Sequence, residues 1–161
     1  VKIPRKSSLV LLPALLALIP LTACGSSDST GPGGQRNAPS SIVVLADSSL
    51  KSAFNNLGKQ FESLNPGSTV TFTYGSSAAL SQQAVGGAAG DLLTTADQQD
   101  MDSAQTVQLN EPRIFATKGA ATYAIVTLNQ SKNTSLSQEF SNLVTSSSGQ
   151  QTLHEAGFEA P

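Results

Sequence analysis

Two pairs of serines each follow an apolar, β-branched stretch and open a helical pattern: Ile42 to Leu45 runs into Ser48-Ser49, and Val70 to Tyr74 runs into Ser76-Ser77. The first turn of a helix leaves backbone N–H groups without intrahelical partners and carries partial positive charge. A serine placed there either caps the helix or lends its hydroxyl and amide to a bound anion. Capping suffices for either pair taken singly. The β-α-β-α order, however, sets both helix starts at one edge of a parallel sheet, the edge at which open α/β sheets hold their ligands. Two such starts side by side predict capture of one small oxyanion by neutral donors, without lysine or arginine.

The elements that must position these serines are legible from periodicity. Leu50, Ala53, Phe54, Leu57, Phe61 and Leu64 recur at helical spacing, and Asn65-Pro66-Gly67 ends that helix. Val70, Phe72 and Tyr74 alternate with Thr69, Thr71 and Thr73, the pattern of a strand. A second helix starts at Ser76 or Ser77, carries Leu80, Ala84 and Val85, and stops at Gly86-Gly87. Asp91 to Thr95 reads as a short strand, and Ala96-Asp97 opens a third helix containing Met101. Arg113 to Thr117 and Thr122 to Leu128 read as further strands. Leu136, Phe140, Leu143 and Val144 mark a late helix, and Gln150 to Ala156 a last one, closed by Gly157.

Upstream of this domain, Lys2, Arg5 and Lys6 precede the apolar run Leu9 to Leu21, so residues 1–23 read as a secretory signal. Leu21-Thr22-Ala23-Cys24 resembles the lipobox of bacterial lipoproteins, which implies acylation of Cys24 and a two-chain membrane anchor. Cys24 is the single cysteine, so no internal disulfide is available. Residues 24–40, rich in Gly, Ser and Pro, read as a flexible tether, and 41–161 as one modest domain. Without residues 1–23 the chain keeps six basic and eleven acidic residues, a net charge of −5, which argues against nucleic acid as a partner.

The stretch from Ile42 to Gln83, with Gly90 to Asp102 after it, resembles the periplasmic molybdate-binding proteins of bacterial ABC importers. The stretch from Ala121 to the terminal Gly-Phe-Glu-Ala-Pro resembles the last strand and closing helices of that family. The resemblance implies a periplasmic-binding-protein-like (type II) α/β fold with a mostly parallel sheet flanked by helices. It further implies a molybdate or tungstate ligand, no cofactor, and delivery to a membrane permease from the outer face of the cytoplasmic membrane. Carried over residue by residue, it puts the oxyanion contacts at Ser49 and Ser77, with Ser48 and Ser76 as register alternatives.

Two departures bear on that carry-over. The family's chain crosses to a second lobe after the strand matched by Arg113 to Thr117, yet here the returning stretch Ala121 to Val126 follows within a few residues. A single lobe is therefore expected, with the second absent at 117–121. Its Tyr123 falls in the returning strand and is not nominated for the site. Asp47 is the other departure, because the family has small apolar residues just before the first serine pair. A carboxylate facing a dianion repels it, whereas one turned outward does little.

Other chemistries find less support. A serine nucleophile needs a base, and the one histidine, His154, lies on the last helix with no Gly-x-Ser-x-Gly elbow near either serine pair. No ligand-spaced cluster predicts a metal site. Asp97, Asp100 and Asp102 suit the first turn of a helix, and Lys51 and Lys59 a solvated helix face. The remaining alternative is a surface-anchored module of the same fold with no transport role.

Overall fold

The computed structural model describes residues 40–161, so the signal, Cys24 and nearly all of the tether lie outside the described residues. The domain opens with β1 (Ser40–Asp47), which leads through a single 3-10 turn (Ser48–Leu50) into α1 (Lys51–Leu64). Then come β2 (Ser68–Gly75), α2 (Ser77–Val85), β3 (Leu92–Thr95) and α3 (Gln98–Ser103). The chain finishes with β4 (Arg113–Lys118), β5 (Ala121–Thr127), α4 (Thr134–Thr145) and α5 (Ser147–Glu155).

One five-stranded sheet runs in the order β2-β1-β3-β5-β4. The expected parallel arrangement holds for β2, β1 and β3, and the sheet turns antiparallel where β5 meets β3 and β4. Between β4 and β5 the reversal follows from the tight turn that joins them, because strands joined by a hairpin must run in opposite directions. Gly119 sits at that turn with φ +59°, a left-handed conformation that costs a side-chain-bearing residue more. The expected joining of the two strands around 117–121 is thus a direct hairpin.

Alternation along the strands divides the core between two faces. Ile42, Val44 and Ala46 of β1 pack with Phe54, Leu57 and Phe61 of α1 and with Phe140 and Val144 of α4. Leu45 points the other way and joins Leu93, Ala124 and Val126 against Leu80 and Ala84 of α2 and Met101 of α3. Helices therefore cover both faces of the sheet. Phe140 meets Phe54 and Phe61 edge-on at centroid separations of 5.9 and 5.4 Å, a favoured aromatic geometry in this core. Leu64, counted in the apolar stripe, is 69% exposed, since α1 ends there as the chain turns away at Asn65.

The last helix begins three residues earlier than its apolar pattern. Ser146 accepts from the N–H of Gly149 at 3.1 Å and caps α5. Gly149 is fully packed, and a β-carbon there would lie on the Leu143 carbonyl oxygen, so the α4–α5 corner requires glycine.

Candidate oxyanion site

β1 and β2 are paired along their whole length, and their last residues, Asp47 and Gly75, face one another. This register is why the serine pairs are neighbours: Ser48-Ser49 and Ser76-Ser77 leave two adjacent parallel strands at the same point. β1 turns into α1 on one face and β2 into α2 on the other, so the two helix starts flank the sheet edge at its change of direction.

The four serines divide three tasks among them. Ser48 Oγ donates to the Gly75 carbonyl at 3.0 Å and ties the ends of β1 and β2 together. Ser76 Oγ accepts from the N–H of Ala79 at 3.4 Å and caps α2. Ser49 and Ser77 converge on one carboxylate. Ser49 donates from Oγ to Asp47 Oδ1 at 2.6 Å and from its backbone N–H at 3.0 Å. Ser77 Oγ donates to Asp47 Oδ2 at 2.7 Å.

Further contacts fix where these hydroxyl protons point. Ser77 Oγ accepts from the N–H of Ala96 at 2.9 Å, just past β3, leaving its one proton for Asp47. Ser77 is buried, whereas Ser49 is exposed. Ser49 Oγ lies 3.0 Å from the hydroxyl of Tyr123, and because its own proton goes to Asp47, Tyr123 is the donor. Tyr123 is buried in β5 and held edge-on against Phe158 at 5.1 Å. Its position follows from the antiparallel return of β5, which pairs Ala124 with Thr95 at the end of β3. No local feature of the chain signals this contact, because alternation alone places Tyr123 in the core without indicating which strand end its hydroxyl reaches.

Asp47 faces inward. Burial pushes its pKa up, but the hydroxyls of Ser49 and Ser77 and their backbone N–H groups outweigh that effect and hold it below the ordinary aspartate value of 3.8. Its own N–H donates to Thr94 Oγ1 at 3.2 Å, which anchors the backbone beneath the carboxylate. Asp97 caps α3 by accepting from the N–H of Asp100 at 2.8 Å. Burial, Asp97 and more weakly Asp47 together raise the Asp100 pKa. The edge is therefore negative beyond the serines as well.

Other residues stand apart from this edge. His154 is exposed near the end of α5, and both converging serine hydroxyls are engaged by Asp47. Among the described residues no group of three or more His, Cys, Asp or Glu is arranged to hold a metal ion, and no helix is long and apolar enough to cross a membrane. A cleft of about 470 Å³ opens elsewhere, between Gly87–Asp91 and Gln130–Asn133.

Comparison with known proteins bears on sequence and fold. Residues 42–120 match the bacterial extracellular solute-binding protein family. The molybdate-binding protein ModA of Mycobacterium tuberculosis H37Rv is 42% identical over 100 residues, which cover 60% of this chain and 38% of that protein. ModA of Mycobacterium bovis matches to the same extent. The chain thus spans well under half the length of these relatives. Among solved structures, the periplasmic molybdate-binding protein of Azotobacter vinelandii superposes with a TM-score of 0.67 at 11% identity, covering 74% of this chain and 99% of that one. The sulfate-binding protein SubI of Mycobacterium tuberculosis gives 0.64 at 9% identity, covering 75% and 87%. At such identities the superpositions speak for the fold alone. Residues 42–120 thus match a bacterial extracellular solute-binding family in sequence, and the domain shares the fold of solved molybdate- and sulfate-binding proteins.

Proposed function

We propose that the chain is the extracytoplasmic solute-binding component of a molybdate or tungstate importer, and that it captures the oxyanion without covalent chemistry through Ser49 and Ser77. One observation carries the reading: hydroxyls from two separate helix starts already donate to a single anionic group. Donors that can meet on one carboxylate are close enough to meet on one tetrahedral oxyanion. The backbone N–H of Ser49 and the starts of α1 and α2 add to the favourable field. Cys24 as lipid anchor and a membrane permease as recipient complete this reading.

Selectivity in such a site comes from the donors being neutral and fixed. A fully deprotonated oxyanion accepts from every donor, and the preset spacing selects for size. One lobe supplies donors on one side only. With the other side wet, losing even three charge-assisted bonds at ~1.5 kcal/mol each lowers affinity by roughly a thousandfold, so binding is expected to be weak. Isothermal titration of the chain with molybdate tests the proposal. Saturable one-to-one binding that Ser77→Ala weakens at least tenfold supports it, and binding unchanged in that variant refutes the assigned site.

The engagement of both serines by Asp47 favours a second reading, a non-transporting, surface-anchored module of the same fold. Absence of any oxyanion binding, with and without Asp47, would select it.

A further inference from the structure

We propose that the Asp47 carboxylate is the resident anion of this site, a tethered competitor that determines how much external oxyanion Ser49 and Ser77 can accept. The inference rests on the assignment of these two serines as the oxyanion site.

Three donors are committed to Asp47: the N–H and hydroxyl of Ser49 and the hydroxyl of Ser77. A serine hydroxyl carries one proton, so each of these two can serve either Asp47 or a ligand oxygen, never both at full strength. The remaining hydrogen bonds bias this choice. Ala96 N–H fills the acceptor side of Ser77, and the Tyr123 hydroxyl fills that of Ser49, which turns both protons toward the space occupied by the carboxylate.

Asp47 cannot drift away from that space. Its backbone is held by pairing with Gly75 and by the hydrogen bond to Thr94, so the carboxylate leaves only by side-chain rotation. Tethering makes the competition intramolecular, and a fixed local carboxylate outcompetes a dilute external anion of similar donor demand. A dianion approaching the edge also meets the like charge of Asp47 and, farther out, of Asp97 and Asp100. Removing the Asp47 side chain relieves both effects. It leaves the Ser77 proton oriented, because the Ala96 N–H contact does not involve Asp47, and frees the Ser49 proton for an incoming acceptor.

The test is molybdate titration of the full chain as wild type, Asp47→Ala and Asp47→Asn, with thermal melting of each to establish folding. Asp47→Ala is expected to bind at least tenfold more tightly than wild type and to gain a larger molybdate-dependent rise in melting temperature. Asp47→Asn, which loses the charge but keeps the volume, is expected to fall between them. Should Asp47→Ala fail to fold, tighter binding by Asp47→Asn than by wild type supports the inference on its own. Equal or weaker binding by the folded variants overturns the inference while leaving the serine assignment standing if wild type binds. No binding by wild type or by either folded variant overturns both.

Discussion

Two carboxylates flank the ends of β3, and each accepts three hydrogen bonds, yet they differ in what donates to them. Asp91, just before β3, takes the backbone N–H of Val43 at 2.8 Å, the backbone N–H of Lys132 at 3.0 Å and the Ser131 hydroxyl at 2.6 Å. Asp47, level with the far end of β3, takes two serine hydroxyls and one backbone N–H. Backbone donors cannot be re-aimed without moving the strand or loop that bears them, so Asp91 works as a staple between β1 and the segment after β5. Hydroxyl donors are swivelling groups at helix starts, so their acceptor can be exchanged. Equal hydrogen-bond number therefore conceals unequal replaceability, and only the hydroxyl-lined end is suited to a transient ligand.

The largest expected consequence of this contrast is at Asp91. Replacing it with alanine leaves the N–H groups of Val43 and Lys132 without their acceptor in a site that is only 8% exposed. We expect a loss of about 3 kcal/mol in denaturant unfolding and no gain in oxyanion affinity. Asp47→Ala removes the cap of the turn that leads into α1 and is expected to cost about 1 kcal/mol without ligand. Molybdate should recover that loss in Asp47→Ala and should recover nothing in Asp91→Ala. A loss at Asp47 as large as that at Asp91 would erase the distinction.

A third expectation concerns acid. The folded-state pKa of Asp47 is lowered, so its ionisation adds stability that is complete above the ordinary value of 3.8 and is lost as pH falls through the lowered value. Melting temperatures of wild type and Asp47→Asn should accordingly converge as pH drops below 3.8. A gap that stays constant across that range would show that ionised Asp47 gains nothing from Ser49 and Ser77. The smallest effect is expected from Tyr123→Phe, which keeps the ring against Phe158 and removes one hydroxyl contact to Ser49. Stability should fall by about 1 kcal/mol or less, and molybdate affinity by a few-fold as Ser49 loses its orienting donor.

Much of the scaffold is legible in the chain because local rules and the tertiary structure agree. The threonine-alternating strand after Asn65-Pro66-Gly67, the Phe54-Phe61 stripe and the cap at Asp97 all form as their patterns indicate. The adjacency of Ser49 and Ser77 is also readable, because a β-α-β-α order with parallel strands leaves little choice of edge. Asp47 is visible as an oddity, but its direction is not. A residue between a strand and a helix start can turn either way, and rotamer choice depends on partners supplied by Ser77, remote in the chain. Tyr123 escapes a reading of the sequence because its approach to Ser49 depends on the register of an antiparallel return, which no short window of residues encodes. The early start of α5 is equally hidden, since its first turn, Ser147 to Gln150, lacks apolar residues and is set by the Ser146 cap and the close packing of Gly149.

The central claim, that Ser49 and Ser77 converge on one anion, is tested most directly by anomalous diffraction at the molybdenum edge from crystals of Asp47→Ala grown with molybdate. The account predicts one molybdenum peak with its oxygens in hydrogen-bond reach of both Ser49 Oγ and Ser77 Oγ, in the space vacated by the carboxylate. A peak bound elsewhere on the domain, or one touching only a single serine, would contradict it.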